Sequence, residues 1–161
     1  LFGSKAYVEQ HPDLVANEIK MCFNFDMCGT VLGPNSVFVT GGENLKAFAE
    51  QYNREIGKSV AIRHGVHSSD SSPFADKGVP AVNFIRFGHH VGGTFIHCRN
   101  DLAKFLSEQS IAKTTQFVLD YGIELIESEV FPFERVVPTE MVEKVDKYLA
   151  KKELAEAKKD K

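Results

Sequence analysis

The side chains best suited to chemistry lie in two loops between His64 and Asp101. The first loop reads HGVHSSDSSPFADKG, and the second, which follows an apolar segment, ends in HHVGGTFIHCRND. Histidine nitrogens and carboxylate oxygens bind zinc and transfer protons, so loops of this composition are typical of a hydrolytic or metal site. Because α/β enzymes place ligands beyond the carboxyl ends of their strands, the preceding strands decide which of these side chains meet.

Two residues are candidate metal ligands. Apolar and polar residues alternate up to Asp26, which predicts a strand that ends there, and His97 follows the apolar strand predicted over 81–87. Asp101 comes four residues after His97, within reach of accepting the second ring N–H of a ligating imidazole. The alternatives are a turn-capping Asp26, a loop His97 with no ligand role, and an Asp101 that caps the next helix.

The other histidines and the serine cluster favour structural roles. An HxxH pair in an irregular loop does not place both rings on one face, as a helical HExxH motif does. Contact of one of these rings with substrate is left as an alternative. No GxSxG motif surrounds Ser68–Ser72, and Ser72 is expected to cap a short helix that ends before Gly78. These histidines are His64, His67, His89 and His90.

Length and composition exclude several classes of protein. With 161 residues and 43% hydrophobic content, the chain is long enough to bury a substantial core. A net charge of −3 argues against a nucleic-acid partner, and no apolar run is long enough for a membrane span. The three cysteines, Cys22, Cys28 and Cys98, match neither a disulfide framework nor a zinc ribbon, so free thiols are expected.

The predicted order of elements is β, β, α, β, α, β, α, α. Strand–helix–strand units of this kind imply an α/β fold with a layered sheet and flanking helices. Residues 81–87 are almost continuously apolar, which predicts a central strand. Apolar spacing from residue 102 to 128 indicates one long or two stacked helices.

Three segments together carry a resemblance to a known family. NFDMCG, SDSSPFADKGVPAV and HCRND resemble, in the right order, the motifs of the co-catalytic di-zinc aminopeptidases, whose relatives include glutamate carboxypeptidase, glutaminyl cyclase and transferrin-receptor-like proteins. LFGSKAYV is similar to the helix that follows the family's Glu-Glu pair. The resemblance covers residues 1–130 and implies the C-terminal portion of a zinc-exopeptidase fold. It divides the chain into residues 1–130, part of a catalytic domain, and a C-terminal helical extension over residues 131–161.

The resemblance also implies roles for particular residues. Asp26 matches a terminal ligand of one zinc and His97 a terminal ligand of the other, while Asp101 supports His97 and Asp70 lines the pocket. Cys98 stands where the family usually has Thr. The family's HxD motif, bridging Asp and Glu-Glu pair, which includes the general-base Glu, would precede Leu1. A complete site with two zincs is therefore not expected in this chain alone.

The activity implied by the resemblance is that of a zinc aminopeptidase acting on peptide substrates. In such an enzyme a metal-activated hydroxide attacks the N-terminal peptide bond. We expect this chain alone to be inactive, and to pair with the N-terminal half of the same protein or to self-associate. The alternatives are a glutaminyl cyclase-like zinc enzyme and a non-catalytic, receptor-like binding or dimerisation domain. The family resemblance favours an extracytoplasmic location.

Overall fold

The computed structural model describes residues 1–31, 33–86 and 95–151. Its elements, in chain order, are α1 (Phe2–Gln10), α2 (Pro12–Asn17), β1 (Cys22–Asp26), β2 (Asn35–Thr40), α3 (Glu43–Glu55), β3 (Ala61–His64), α4 (Ser72–Asp76), β4 (Ala81–Arg86), a 3-10 helix (Ala103–Phe105), α5 (Glu108–Ile126) and α6 (Thr139–Tyr148). No helix within these ranges has the length and apolar character needed to cross a bilayer. The predicted roles of His89 and His90 lie outside the described residues.

A four-stranded mixed sheet forms the centre of the fold, in the order β1-β4-β2-β3. β1 runs parallel to β4 and β2 runs parallel to β3, while β2 and β4 are antiparallel. β4 lies between two neighbours and buries almost all of its residues, which confirms the central strand predicted from its apolar sequence. The α/β class is likewise confirmed.

The two faces of the sheet differ in chemistry because successive side chains of a strand point to opposite sides. One face packs Val37, Val39, Val82 and Phe84 against α3 and α5 in the largest apolar cluster, which also contains Tyr121 of α5. The opposite face carries polar residues. There Asn24 of β1 lies directly beside Asn83 of β4 in the parallel register. Asp26 follows Asn24 by two positions and so shares this polar face.

Helix termini depart from two expectations. Ser72 is the first residue of α4 and Ser71 takes the cap position, with no side-chain cap bond. The alternative role of Asp101 as a helix cap is not found, because Leu102 takes the cap position of the 3-10 helix and Ser107 caps α5 by accepting from the Ser110 N–H at 3.1 Å. Sequence alone did not separate these neighbouring polar residues, since each is a good cap former.

The short helix α4 is covered by α6 on one side. Met141 and Val145 of α6 are fully buried in a cluster that includes Ala75 of α4. Gly78 ends α4 with a φ of +74°, a left-handed conformation that favours glycine, as the sequence predicts. A domain boundary near residue 130 stays a prediction.

Candidate active site

Asp26 ends β1 and is held by a neighbour on the same strand. The side-chain amide of Asn24 donates to Asp26 Oδ2 at 2.8 Å, which leaves Oδ1 free of this bond. The chain then turns through Met27, whose φ is +56°. The turn closes through Thr30, whose hydroxyl donates to the Met27 carbonyl at 2.5 Å and to the Arg86 carbonyl at 2.9 Å. The carboxylate is thus fixed at the exit of a strand.

Asp26 shares a cavity of about 250 Å³ with Asp101. The remaining walls are largely apolar and include Phe95, Phe105 and Leu106. Two carboxylates that line one small, largely apolar cavity make the electrostatic potential there more negative, which favours binding of a cation or an ammonium group. The fold therefore brings together two of the four residues singled out from the sequence.

His97 lies in an exposed turn that adjoins this cavity. Ile96 lines the cavity, and the Cys98 N–H donates to the Phe95 carbonyl at 3.2 Å, which closes the turn that contains His97. His97 has a φ of +62°, a conformation that non-glycine residues seldom adopt and that clusters at functional sites. Within the described residues, no hydrogen bond joins the His97 ring to Asp101, so that partnership stays a prediction.

His67, to which the sequence reasoning assigned a structural role, lies near Asp26. Its half-buried ring stacks on Phe38 with centroids 4.8 Å apart. Burial lowers the pKa of His67, and the negative charge of Asp26 opposes this with a smaller upward effect. Burial therefore favours the neutral form of His67, and its ring lies within electrostatic reach of Asp26. The signal in the sequence is its position three residues before Asp70, in the loop that folds back over the polar face.

The loop bearing His67 is anchored at its beginning by His64. One ring nitrogen of His64 lies 2.7 Å from the Gly41 carbonyl, and the other lies 3.0 Å from a Glu43 carboxylate oxygen. His64 thus fastens the end of β3 to the start of α3. This agrees with the structural role favoured from the sequence.

Beyond His67 the same loop is anchored by a buried polar cluster on the sheet. The hydroxyls of Ser69 and Ser71 both donate to Asn83 Oδ1, at 2.8 and 2.6 Å. Asn83 is fully buried, and its Nδ2 has no hydrogen-bond partner among the residues that the structure describes. A Ser nucleophile is disfavoured here, because both hydroxyls already donate to an amide oxygen.

Asp70 is displaced from the cavity that Asp26 lines. It is exposed and accepts a hydrogen bond from the Ser4 hydroxyl at 2.6 Å, which ties α1 to the loop. Its charge acts on Cys22: burial first, and the Asp70 carboxylate second, raise the pKa of the Cys22 thiol to about 11. The role of Asp70 as a pocket residue stays a prediction.

The donor atoms have the chemistry that zinc prefers, but their number falls short. A catalytic zinc normally holds three protein ligands, and carboxylate oxygen and imidazole nitrogen are both suitable. In the part of the chain that the structure describes, no three His, Cys, Asp or Glu side chains come together to hold a metal ion. The described residues alone therefore do not fit a complete zinc site.

The mixed four-stranded sheet with flanking helices has the same fold as part of a solved zinc aminopeptidase. The chain belongs to peptidase family M28, whose model matches residues 1–122. This match confirms the family that the three sequence motifs indicate.

Solved structures similar to this chain are aminopeptidases. The zinc aminopeptidase BSAP from Bacillus subtilis has a TM-score of 0.62 at 21% identity, covering 84% of this chain and 36% of that one. The aminopeptidase from Aneurinibacillus sp. strain AM-1 has a TM-score of 0.57 at 23% identity, covering 83% of this chain and 34% of that one. No curated protein matches the chain. The chain thus spans about a third of the length of these structures.

Proposed function

We propose that this chain is the C-terminal portion of an M28 aminopeptidase catalytic domain and contributes Asp26 and His97 to a two-zinc centre completed by residues outside it. One observation carries the proposal: Asp26, oriented by Asn24, faces the same small cavity as Asp101, and His97 stands in the turn beside them. Family membership and the similarity to zinc aminopeptidases support the same assignment. The substrate class is a peptide with a free N-terminus.

The described residues have distinct tasks in this proposal. Asn24 directs one carboxylate oxygen of Asp26, and the Met27–Thr30 turn keeps that carboxylate at the strand exit. The apolar walls contributed by Phe95 and Phe105 exclude water from one side of the cavity. The lowered pKa of His67 favours the form of its ring that adds no positive charge near Asp26.

We also propose that an apolar surface receives the remainder of the domain, or a second copy when that remainder is absent. In the described sheet β1 is an edge strand, with β4 as its neighbour, and Phe25 on it is 49% exposed. Leu119, Ile123 and Ile126 recur at helical spacing on α5 and are also exposed, Ile126 at 80%. Unpaired strand edges and contiguous apolar faces favour association.

An activity assay on the isolated chain tests the incomplete-site part of the proposal. The purified 161-residue chain is incubated with zinc and an aminoacyl-anilide substrate, beside a complete M28 aminopeptidase as a positive control. We expect no turnover above the zinc-only background, because the described residues do not gather three metal donors. Turnover by the isolated chain, abolished by chelation, would show that it builds a complete centre.

A further inference from the structure

The segment of residues 131–151 lies beyond the family match, which ends at residue 122. It includes a connector and α6, and it packs against the short helix α4 rather than extending into solvent. We call residues 131–151 the strap. Its contacts converge on the element that directly follows the loop bearing His67 and Asp70.

The guanidinium of Arg135 joins the carboxyl ends of two helices. Its Nε donates to the Ile19 carbonyl at 3.0 Å, and its Nη2 donates to the carbonyls of Val15 at 2.6 Å and Lys77 at 3.2 Å. Val15 and Ile19 lie at the end of α2, and Lys77 follows α4. The final carbonyls of a helix lack partners within it and carry partial negative charge, so a cation placed there is stabilising. Neither helix has a basic residue in its own last turn.

Apolar burial supports the same contact. Val137, Met141, Val145 and Leu149 of the strap are buried with Ala75 of α4, and Val66 of the loop packs at the edge of the cluster. At the end of the strap Lys151 pairs with Asp76 of α4. The strap therefore packs against the C-terminal part of α4, at Ala75 and Asp76.

The dependence of α4 on the strap follows from its size. A helix of five residues is unstable without tertiary contacts, because the conformational entropy lost in forming the first turn exceeds the free energy gained from its few hydrogen bonds. The contacts of α4 with α1 and the strap must supply its stability. The loop before α4 is bonded to the sheet through Ser69 and Ser71 on Asn83, whereas Val66 near its start packs against the strap. The position of the loop therefore depends on the strap as well as on the sheet.

We infer that the strap positions the loop of residues 65–71 by clamping α4, with Arg135 as the positioning residue. The importance of this loop for catalysis rests on the proposed function, because His67 and Asp70 lie on the loop. The clamping itself is a property of the chain and does not require metal, substrate or activity. Detachment of the strap from α4 would therefore increase the conformational freedom of the loop while the sheet stays folded.

Amide hydrogen exchange on the 161-residue chain tests this inference. In Arg135→Ala, we expect amides of residues 66–79 to exchange roughly tenfold faster, the scale set by losing hydrogen bonds to a charged group. Amides of β2 and β4 should keep wild-type rates. Arg54→Ala, which removes an exposed arginine from the last turn of α3, is the matched control and should leave residues 66–79 unchanged.

A second variant keeps the test decisive if Arg135→Ala does not fold. Arg135→Lys retains the charge but cannot reach three carbonyls at once, so it should give a smaller increase confined to the same residues. Equal acceleration in the sheet and in residues 66–79 would overturn the inference, as would unchanged exchange at 66–79. Both results are independent of whether the parent protein is an aminopeptidase.

Discussion

Asn24 and Asp26 form a hydrogen bond across one pleat of β1, from the side-chain amide to Oδ2 at 2.8 Å. Residues two apart on a strand share a face, so the bond is a direct consequence of strand geometry. It fixes the carboxylate at the point where the chain leaves the sheet. The candidate ligand is thereby oriented before any metal or substrate arrives.

Replacing Asn24 with Ala should therefore weaken both the fold and the site. We expect the free energy of unfolding to fall by about 1 kcal/mol, because a partly buried carboxylate loses its donor. Urea denaturation at pH 7 measures this change. Asn100→Ala is the control, since Asn100 lies in an exposed turn and its backbone N–H, which the substitution keeps, is the group that bonds to Cys98. An equal loss of unfolding free energy in the two variants would contradict a specific role of Asn24.

The buried cluster of Ser69, Ser71 and Asn83 should behave as one unit. Asn83→Ala leaves two buried hydroxyls without their acceptor and opens a small cavity, so we expect a loss of about 2–4 kcal/mol in unfolding free energy. Ser71→Ala alone should cost about 1 kcal/mol, and the double variant should cost less than the sum.

A neighbouring serine provides the control for this cluster. Ser68 is exposed in the same loop, and Ser68→Ala should leave the unfolding free energy within about 0.5 kcal/mol of wild type. Strict additivity between Ser71→Ala and Asn83→Ala in urea denaturation would contradict the hydrogen-bonded cluster.

Cys22 predicts a pH dependence of stability at alkaline pH. Its thiol has a pKa raised from 9.0 to about 11, chiefly by burial and secondly by Asp70. The unfolded chain therefore ionises first, so the stabilisation is fully present below pH 9 and is lost as the pH rises toward 11. Relative to Cys22→Ala, the wild-type chain should lose unfolding free energy across that window. Parallel pH profiles for the two proteins would refute the assignment.

The exposed apolar face on α5 predicts self-association of the isolated chain. Sedimentation velocity should detect species larger than the monomer, and a Leu119→Lys, Ile126→Lys double variant should shift the distribution toward monomer. Both residues are at least half exposed, so the substitutions should cost little stability. Lys113→Glu, on the exposed part of the same helix, is a charge-changing control. A monodisperse wild-type monomer would contradict this surface assignment.

Much of the fold could be predicted from the sequence because its signals are local. Alternating residues before Asp26 indicated β1, and helical spacing indicated α3 and α5. The six-residue helix α2 was not predicted, although Pro12 at its first turn and Asp13 behind it are helix-start signals. Adjacent polar residues such as Ser71 and Ser72 compete for one cap, so the exact start of α4 required the structure.

The site was predicted less completely, because it depends on which strands are neighbours. Asp26 and His97 were identified from motifs, and the structure places Asp26 and Asp101 around one cavity. The role of Asn83 was not predicted, since it depends on the strand register that places Asn83 beside Asn24 and on the loop folded over it. His67 was similarly undervalued, because its stacking on Phe38 joins residues far apart in the chain.

The most direct test of the central claim is aminopeptidase activity of the full-length gene product with substitutions at the two proposed ligands. We expect Asp26→Ala and His97→Ala each to lower kcat/KM for an aminoacyl-anilide by well over a hundredfold, more than loss of a supporting hydrogen bond around a metal ligand causes. Cys98→Thr, which keeps the exposed turn intact, should retain activity. Wild-type activity in either alanine variant would contradict the assignment of Asp26 and His97 as metal ligands.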